Sequence, residues 1–131
     1  MGFESRIYIV ERNEYITWVC GREIAQFDLC KMGYYMCDGK NFRDLFKKKI
    51  DFDLNINVED KDHYDPEDYR TDAYDEHCKY TDIETVIYWL EIYIKEVNYR
   101  RAELLLNFLY TLKEQIKKGM WGEICIVHYG Y

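Results

Sequence analysis

Hydrophobic and polar positions alternate most cleanly from residue 52, where Phe52, Leu54, Ile56 and Val58 interleave with Asp53, Asn55, Asn57 and Glu59. A period of two sends one set to a buried face and the other to water, so this stretch predicts a half-buried strand. Shorter β-branched and aromatic runs predict strands at Arg6–Glu11 (RIYIVE), Tyr15–Cys20 (YITWVC) and Glu123–Tyr129 (EICIVHY), with a turn at Asn13-Glu14. In EIAQFDLCKM, Ala25, Phe27 and Leu29 fall on one side and Gln26 and Asp28 on the other, which predicts a separate third strand.

After Thr81 the period becomes that of a helix. Ile83, Val86, Ile87, Leu90 and Ile94 form one stripe; Ala102, Leu105, Leu109, Leu112 and Ile116 form a second. Thr81-Asp82-Ile83-Glu84 has the spacing of a capping box, with Thr81 as the cap. Asn98 suits the start of the second helix, and Lys117-Lys118-Gly119 its end, cations in the last turn followed by a residue free to turn left-handed. A shorter helix, FRDLFKKK, is expected after Asn41, behind a glycine-containing loop at 33–40. The order is β-β-β-α-β-loop-α-α-β. It predicts the α+β class: an antiparallel sheet of about four to five strands with a C-terminal helical hairpin packed on one face.

The 131 residues are 48% hydrophobic with one proline, which fits one domain over 1–131 with a real core. No apolar run approaches the ~20 residues of a membrane span, and MGFESRIYIV lacks a secretory layout. The five cysteines are therefore expected as reduced thiols of a cytoplasmic protein.

Charge changes the picture more. Residues 51–84 hold 13 of the 25 acids and only 3 of the 18 lysines and arginines. The strand and the helix cap account for the ends of this stretch. A long acidic loop at 59–80 remains, longer than most connections. Its tyrosines, flat faces with polar tips, interleave with carboxylates. The candidate partner-binding residues are Asp62, Tyr64, Asp65, Glu67, Asp68, Tyr69, Asp72, Tyr74, Asp75 and Glu76. Such a surface selects a basic protein and argues against direct binding of nucleic acid. A solvated loop that keeps the protein soluble is the plain competing reading.

Residue spacing bears on three further chemistries. Asp51-x-Asp53-x-Asn55 starts like a calcium loop but has Ile56 where glycine is required. Zinc has no CxxC pair; a structural site would need Cys30, Cys37, Cys78 and His77, with His63 as a substitute. It would tie the acidic loop to the third strand, whereas free cysteines are more often small buried apolar residues. No catalytic residue is assigned: Ser5 is the only serine, no G-x-S-x-G is present, and Cys78 or Cys125 with His77 or His128 are pairs close in sequence by chance. Phosphate-binding glycine loops are absent from the sequence. The small basic groups Lys47-Lys48-Lys49, Arg100-Arg101 and Lys117-Lys118 are explained by helix ends.

GFESRIYIVER, FDLCKMG, TDIETVIYWLE and EICIVHYGY are similar to segments of small proteins of bacteriophages, prophages and mobile elements of Gram-positive bacteria. The resemblance carries no catalytic motif. It implies a bacterial cytoplasm as location and, as a class, inhibitors of bacterial immunity such as anti-CRISPR proteins, which block the DNA-binding surface of an RNA-guided nuclease. The expected function is a small acidic binding protein that inhibits a nucleic-acid-handling partner and requires no cofactor. A zinc-stabilised interaction module, or a small enzyme with an unlocated Cys/His or carboxylate site, are the alternatives.

Overall fold

The computed structural model describes residues 5–16, 19–30, 32, 35–55 and 78–130, with backbone alone at 53–55. Strands β1 (Ser5–Glu14) and β2 (Val19–Asp28) form a long antiparallel hairpin, in register from Arg6↔Asp28 to Glu14↔Val19. The segment expected as a second strand divides instead. Tyr15 and Ile16 lie beyond the end of β1, and Val19 and Cys20 begin β2. The stretch expected as a third strand is the second half of β2. No glycine, proline or asparagine marks the bend between Glu14 and Val19, so turn chemistry could not reveal it.

β3 (Met36–Cys37) and β4 (Lys40–Asn41) make a miniature hairpin inside the expected loop. Its two turn residues, Asp38 and Gly39, have φ of 53° and 74°. Both left-handed values are what a type I′ turn demands, and Asp-Gly is its favoured pair. The helix expected next is a single 3-10 turn at Phe42–Leu45, and Asn41 makes no side-chain cap. Its lysines instead form β5 (Lys48–Lys49). β6 (Asp53–Asn55) is short, and residues 56–58 of the expected strand lie outside the described residues.

After β7 (Lys79–Thr81) come the two helices, α1 (Ile83–Glu96) and α2 (Arg100–Lys117), then β8 (Glu123–Gly130). The cap of α1 sits one residue later than expected. Asp82 accepts from the Thr85 amide at 3.3 Å and from the Thr85 hydroxyl at 2.6 Å. Partial burial alone would push the Asp82 carboxyl up, but these hydrogen bonds to its ionised form hold it below its usual value. Tyr99, not Asn98, caps α2, and it does so without a side-chain bond. The end of α2 is as expected. Gly119 turns left-handed at φ 73°, its N–H reaches the Ile116 carbonyl, and the Met120 N–H reaches that of Gln115.

The architecture is α+β. The sheet runs β5-β7-β8-β1-β2-β6, antiparallel throughout except that β6 pairs parallel to β2. The helices pack on one face through Val86, Leu90, Leu105 and Leu109 against Ile7, Ile9 and Ile126. A bulge where Ile9 faces Ala25 and Val10 faces Glu23 leaves Ile24 extra, and both Ile24 and Ala25 pack on that side.

The opposite face is buried too. Tyr8, Val10, Cys125 and Val127, alternate residues of the same central strands, cluster with Ile50, Phe52 and Cys78. Chain geometry explains how. Five interstrand spacings separate β5 from β6, about 24 Å in a flat sheet. Four residue steps join Lys49 to Asp53, at most about 14 Å of chain. The sheet must therefore roll, convex toward the helices, with residues 50–52 crossing the hollow.

That crossing needs Gly21. A Cβ there would stand 2.3 Å from the Phe52 ring, and Phe52 is fully buried. Gly21→Ala is expected to destabilise the fold by about 1–3 kcal/mol in urea unfolding. The loss should shrink in a Phe52→Leu background. Equal losses in both backgrounds would show that the ring contact is not the cause.

Candidate functional site

The ten acidic and tyrosine residues proposed to bind a partner, Asp62 to Glu76, and the candidate ligand His77 lie outside the described residues. What is described is how their segment is rooted. It leaves β6, whose Asn55 pairs with Arg22 on β2, and re-enters at Cys78, whose carbonyl accepts from the Ile50 N–H at 3.1 Å. Both roots therefore belong to the rolled sheet.

Beside them lies a cluster that sequence reading missed. Arg12 on β1 donates to Asp51 through Nε and Nη2 at 3.0 and 2.6 Å, to Glu14 at 2.9 Å and to Glu123 on β8 at 3.2 Å. Its hydrogen bonds to Asp51 and then to Glu14 raise the guanidinium pKa further, so it stays charged at any working pH. Its side chain is 12% exposed, whereas its three partners are half exposed or more. A two-pronged Arg–carboxylate contact fixes geometry as well as charge. Here it pins the crossing residues to the hairpin. Position parity offered a partial signal, since Arg12 shares a sheet face with Tyr8 and Val10.

Cys37 and Cys78 of the zinc set are not brought together, while His77 and its substitute His63 lie outside the described residues. Cys37 is buried among residues of the helical side. Cys78 is buried in the hollow on the other side of the sheet. Two thiolates on one zinc must both lie about 2.3 Å from it, which a sheet between them forbids. Cys30 is exposed beyond the end of β2, at φ 54°, with its N–H on the Asp28 carboxylate at 2.9 Å. No cluster of three or more His, Cys, Asp or Glu suited to a metal is found among the described residues.

The Cys125–His128 pairing fails for the same kind of reason. Three positions apart on one strand, they point to opposite faces. Burial pushes the Cys125 thiol up to about 12, with Glu123 adding to it, so no thiolate forms near neutrality. His128 packs against Phe46, ring centres 5.2 Å apart, and shares a 2.7 Å hydrogen bond with Ser5. Both partners of that bond are buried, Ser5 at 1% and His128 at 6% exposure. It is a serine–histidine contact that no substrate reaches. Burial, and then the nearby Arg43 charge, lower the His128 pKa from 6.5 to about 4.

Two adjoining hollows lie between the 3-10 turn and the start of α1. One, of about 330 Å³, is lined by Lys40, Asp44, Lys48, Tyr80, Thr85 and Cys125 among others. The second, of about 400 Å³, has Leu45, Tyr88 and Trp89 on its walls. Cations and carboxylates mix around the first, so neither sign of ligand is selected. No helix among the described residues is long and apolar enough to cross a membrane.

Two measurements follow from these environments. A thiol reagent should modify exposed Cys30 rapidly in the native protein, while Cys37, Cys78 and Cys125 react only after unfolding. The neutral form of His128 is retained without penalty above pH 6.5. Between 6.5 and about 4 the unfolded chain takes up a proton that the folded chain refuses, so stability falls as pH drops. From pH 7 to pH 5 the loss from this residue is about 2 kcal/mol. His128→Gln should flatten that slope in urea titrations at the two pH values; an unchanged slope would assign it elsewhere.

Comparison with protein-family models, with curated proteins and with solved structures gives no match for this chain.

Proposed function

We propose that the chain is a small binding protein that inhibits a nucleic-acid-handling partner, an RNA-guided nuclease of the CRISPR type, by covering its DNA-binding surface. The observation that carries this reading is the concentration of charge: 13 of 25 acids within residues 51–84, beside only 3 of 18 lysines and arginines. Carboxylates at that density match the cations of a groove that otherwise holds phosphates. Tyrosines between them supply contact area. Rooting of the segment in two strands supports it, because a fixed scaffold lowers the entropy lost on docking.

The buried thiols and the enclosed Ser5–His128 pair favour binding over catalysis as the reading of the described residues. The contact bets are Asp62, Tyr64, Asp65, Glu67, Asp68, Tyr69, Asp72, Tyr74, Asp75 and Glu76. Association should be steered by charge and weaken with salt.

The test pairs purified RNA-guided nucleases with the wild-type chain and with a Asp65→Asn, Glu67→Gln, Asp68→Asn, Asp72→Asn variant. Wild type should block loading of target DNA, and the variant should bind at least about tenfold more weakly. Equal binding by the two proteins, or DNA loading untouched by wild type across the nucleases, would overturn the proposal.

A further inference from the structure

Outside the acidic segment the charge is also uneven. Lys47, Lys48, Lys49 and Lys79 gather where β5 and β7 end the sheet, and all four are exposed. None of them makes an ion pair with a described residue. β5 is the outermost strand, so its outer backbone edge is open among the described strands. Lysines on an edge ordinarily discourage strand addition. Edge protection does not explain one detail. Lys49 stands directly opposite Lys79 in the antiparallel register. Like charges so placed repel and weaken the pair. An anion laid across them converts that cost into attraction, and an extended acidic peptide would also find the open edge of β5.

We infer that this lysine edge is a docking strip for the acidic segment of a second copy of the chain. Charge complementarity selects the occupant, because residues 59–76 of every copy carry nine carboxylates against Lys61 and Arg70. In the antiparallel register Cys78 lies beside Ile50, and Lys47 and Lys48 extend from Lys49 in the opposite direction. Docking of a chain's own segment would leave the wild type monomeric at every salt concentration, which the test below reads. Reciprocal docking gives two equivalent contacts around a two-fold axis, the commonest closed arrangement.

Sedimentation velocity of the intact protein tests this. Wild type should associate at low salt and dissociate when salt shortens the screening length. Lys48→Glu/Lys49→Glu should sediment as a monomer, as should the Asp65→Asn, Glu67→Gln, Asp68→Asn, Asp72→Asn variant. Circular dichroism checks that each is folded; the two lysines are exposed and bury nothing. Mixing the two variants restores one acidic segment facing one lysine edge, so the mixture should associate although neither component does. A wild-type monomer at low salt, self-association unaffected by either variant, or a mixture that stays monomeric overturns the inference. So does a lysine variant whose only change is lost binding of a short DNA duplex. A failure here leaves nuclease binding untouched, since that assay reads a foreign partner.

Discussion

The Phe52 ring lies on bare backbone at Gly21, and the path of the chain through the hollow follows from that contact. With no Cβ in the way, residues 50–52 sink deep enough for Ile50 and Phe52 to fill the concave side. Asp51, on the intervening position, then reaches Arg12 from above. β6 can pair with β2 only because the crossing stays close to the sheet. The ion cluster alone would contribute little, since exposed pairs are worth at most about 1 kcal/mol. Its part is positional: it fixes which residue of the crossing meets which residue of the hairpin. Burial of Phe52 supplies the attraction, and Arg12 selects the register.

Rolling the sheet gives its centre two dry faces. β1 and β8 are buried at Ile7, Tyr8, Ile9 and Val10, and at Cys125, Ile126, Val127 and His128. Continuous apolar runs of this kind signal strands covered on both sides, whereas a sheet wet on one face shows alternation. The helices cover the convex side with aliphatic stripes. The concave side is filled by fewer groups because a hollow offers less area to line. His128 belongs to the helical side, so its neutrality is a price of placing an imidazole under Phe42 and Phe46.

Much of this fold was legible in the chain. The stripes of α1 and α2 bury Val86, Ile87, Leu90, Ala102, Leu105, Leu109 and Leu112 as their spacing requires. β1 and β8 stand where β-branched residues crowd. The failures have physical causes. Gly21 falls between the segments expected as the second and third strands, but it is the gap inside one strand that admits the Phe52 ring from far along the chain. Lys47–Lys49 read as a helix end because cations favour that place, whereas pairing with β7 draws them into an edge. The acidic segment was legible as composition alone; spacing assigns it no geometry. For the zinc set, the two faces of the sheet separate Cys37 from Cys78, and only a three-dimensional sheet could reveal that.

The roll also brings together the two places where the acidic segment is rooted. Cys78 is bonded to Ile50, and Ile50 stands only five residues from Asn55. The closing cost of such a segment grows only with the logarithm of its length, about 0.6 kcal/mol per doubling. Residues can thus be added, removed or exchanged between these roots with little consequence for the core. A scaffold of this kind separates inheritance of shape from inheritance of charge. The acidic sequence is free to change while Gly21, Phe52 and Arg12 keep the frame the same.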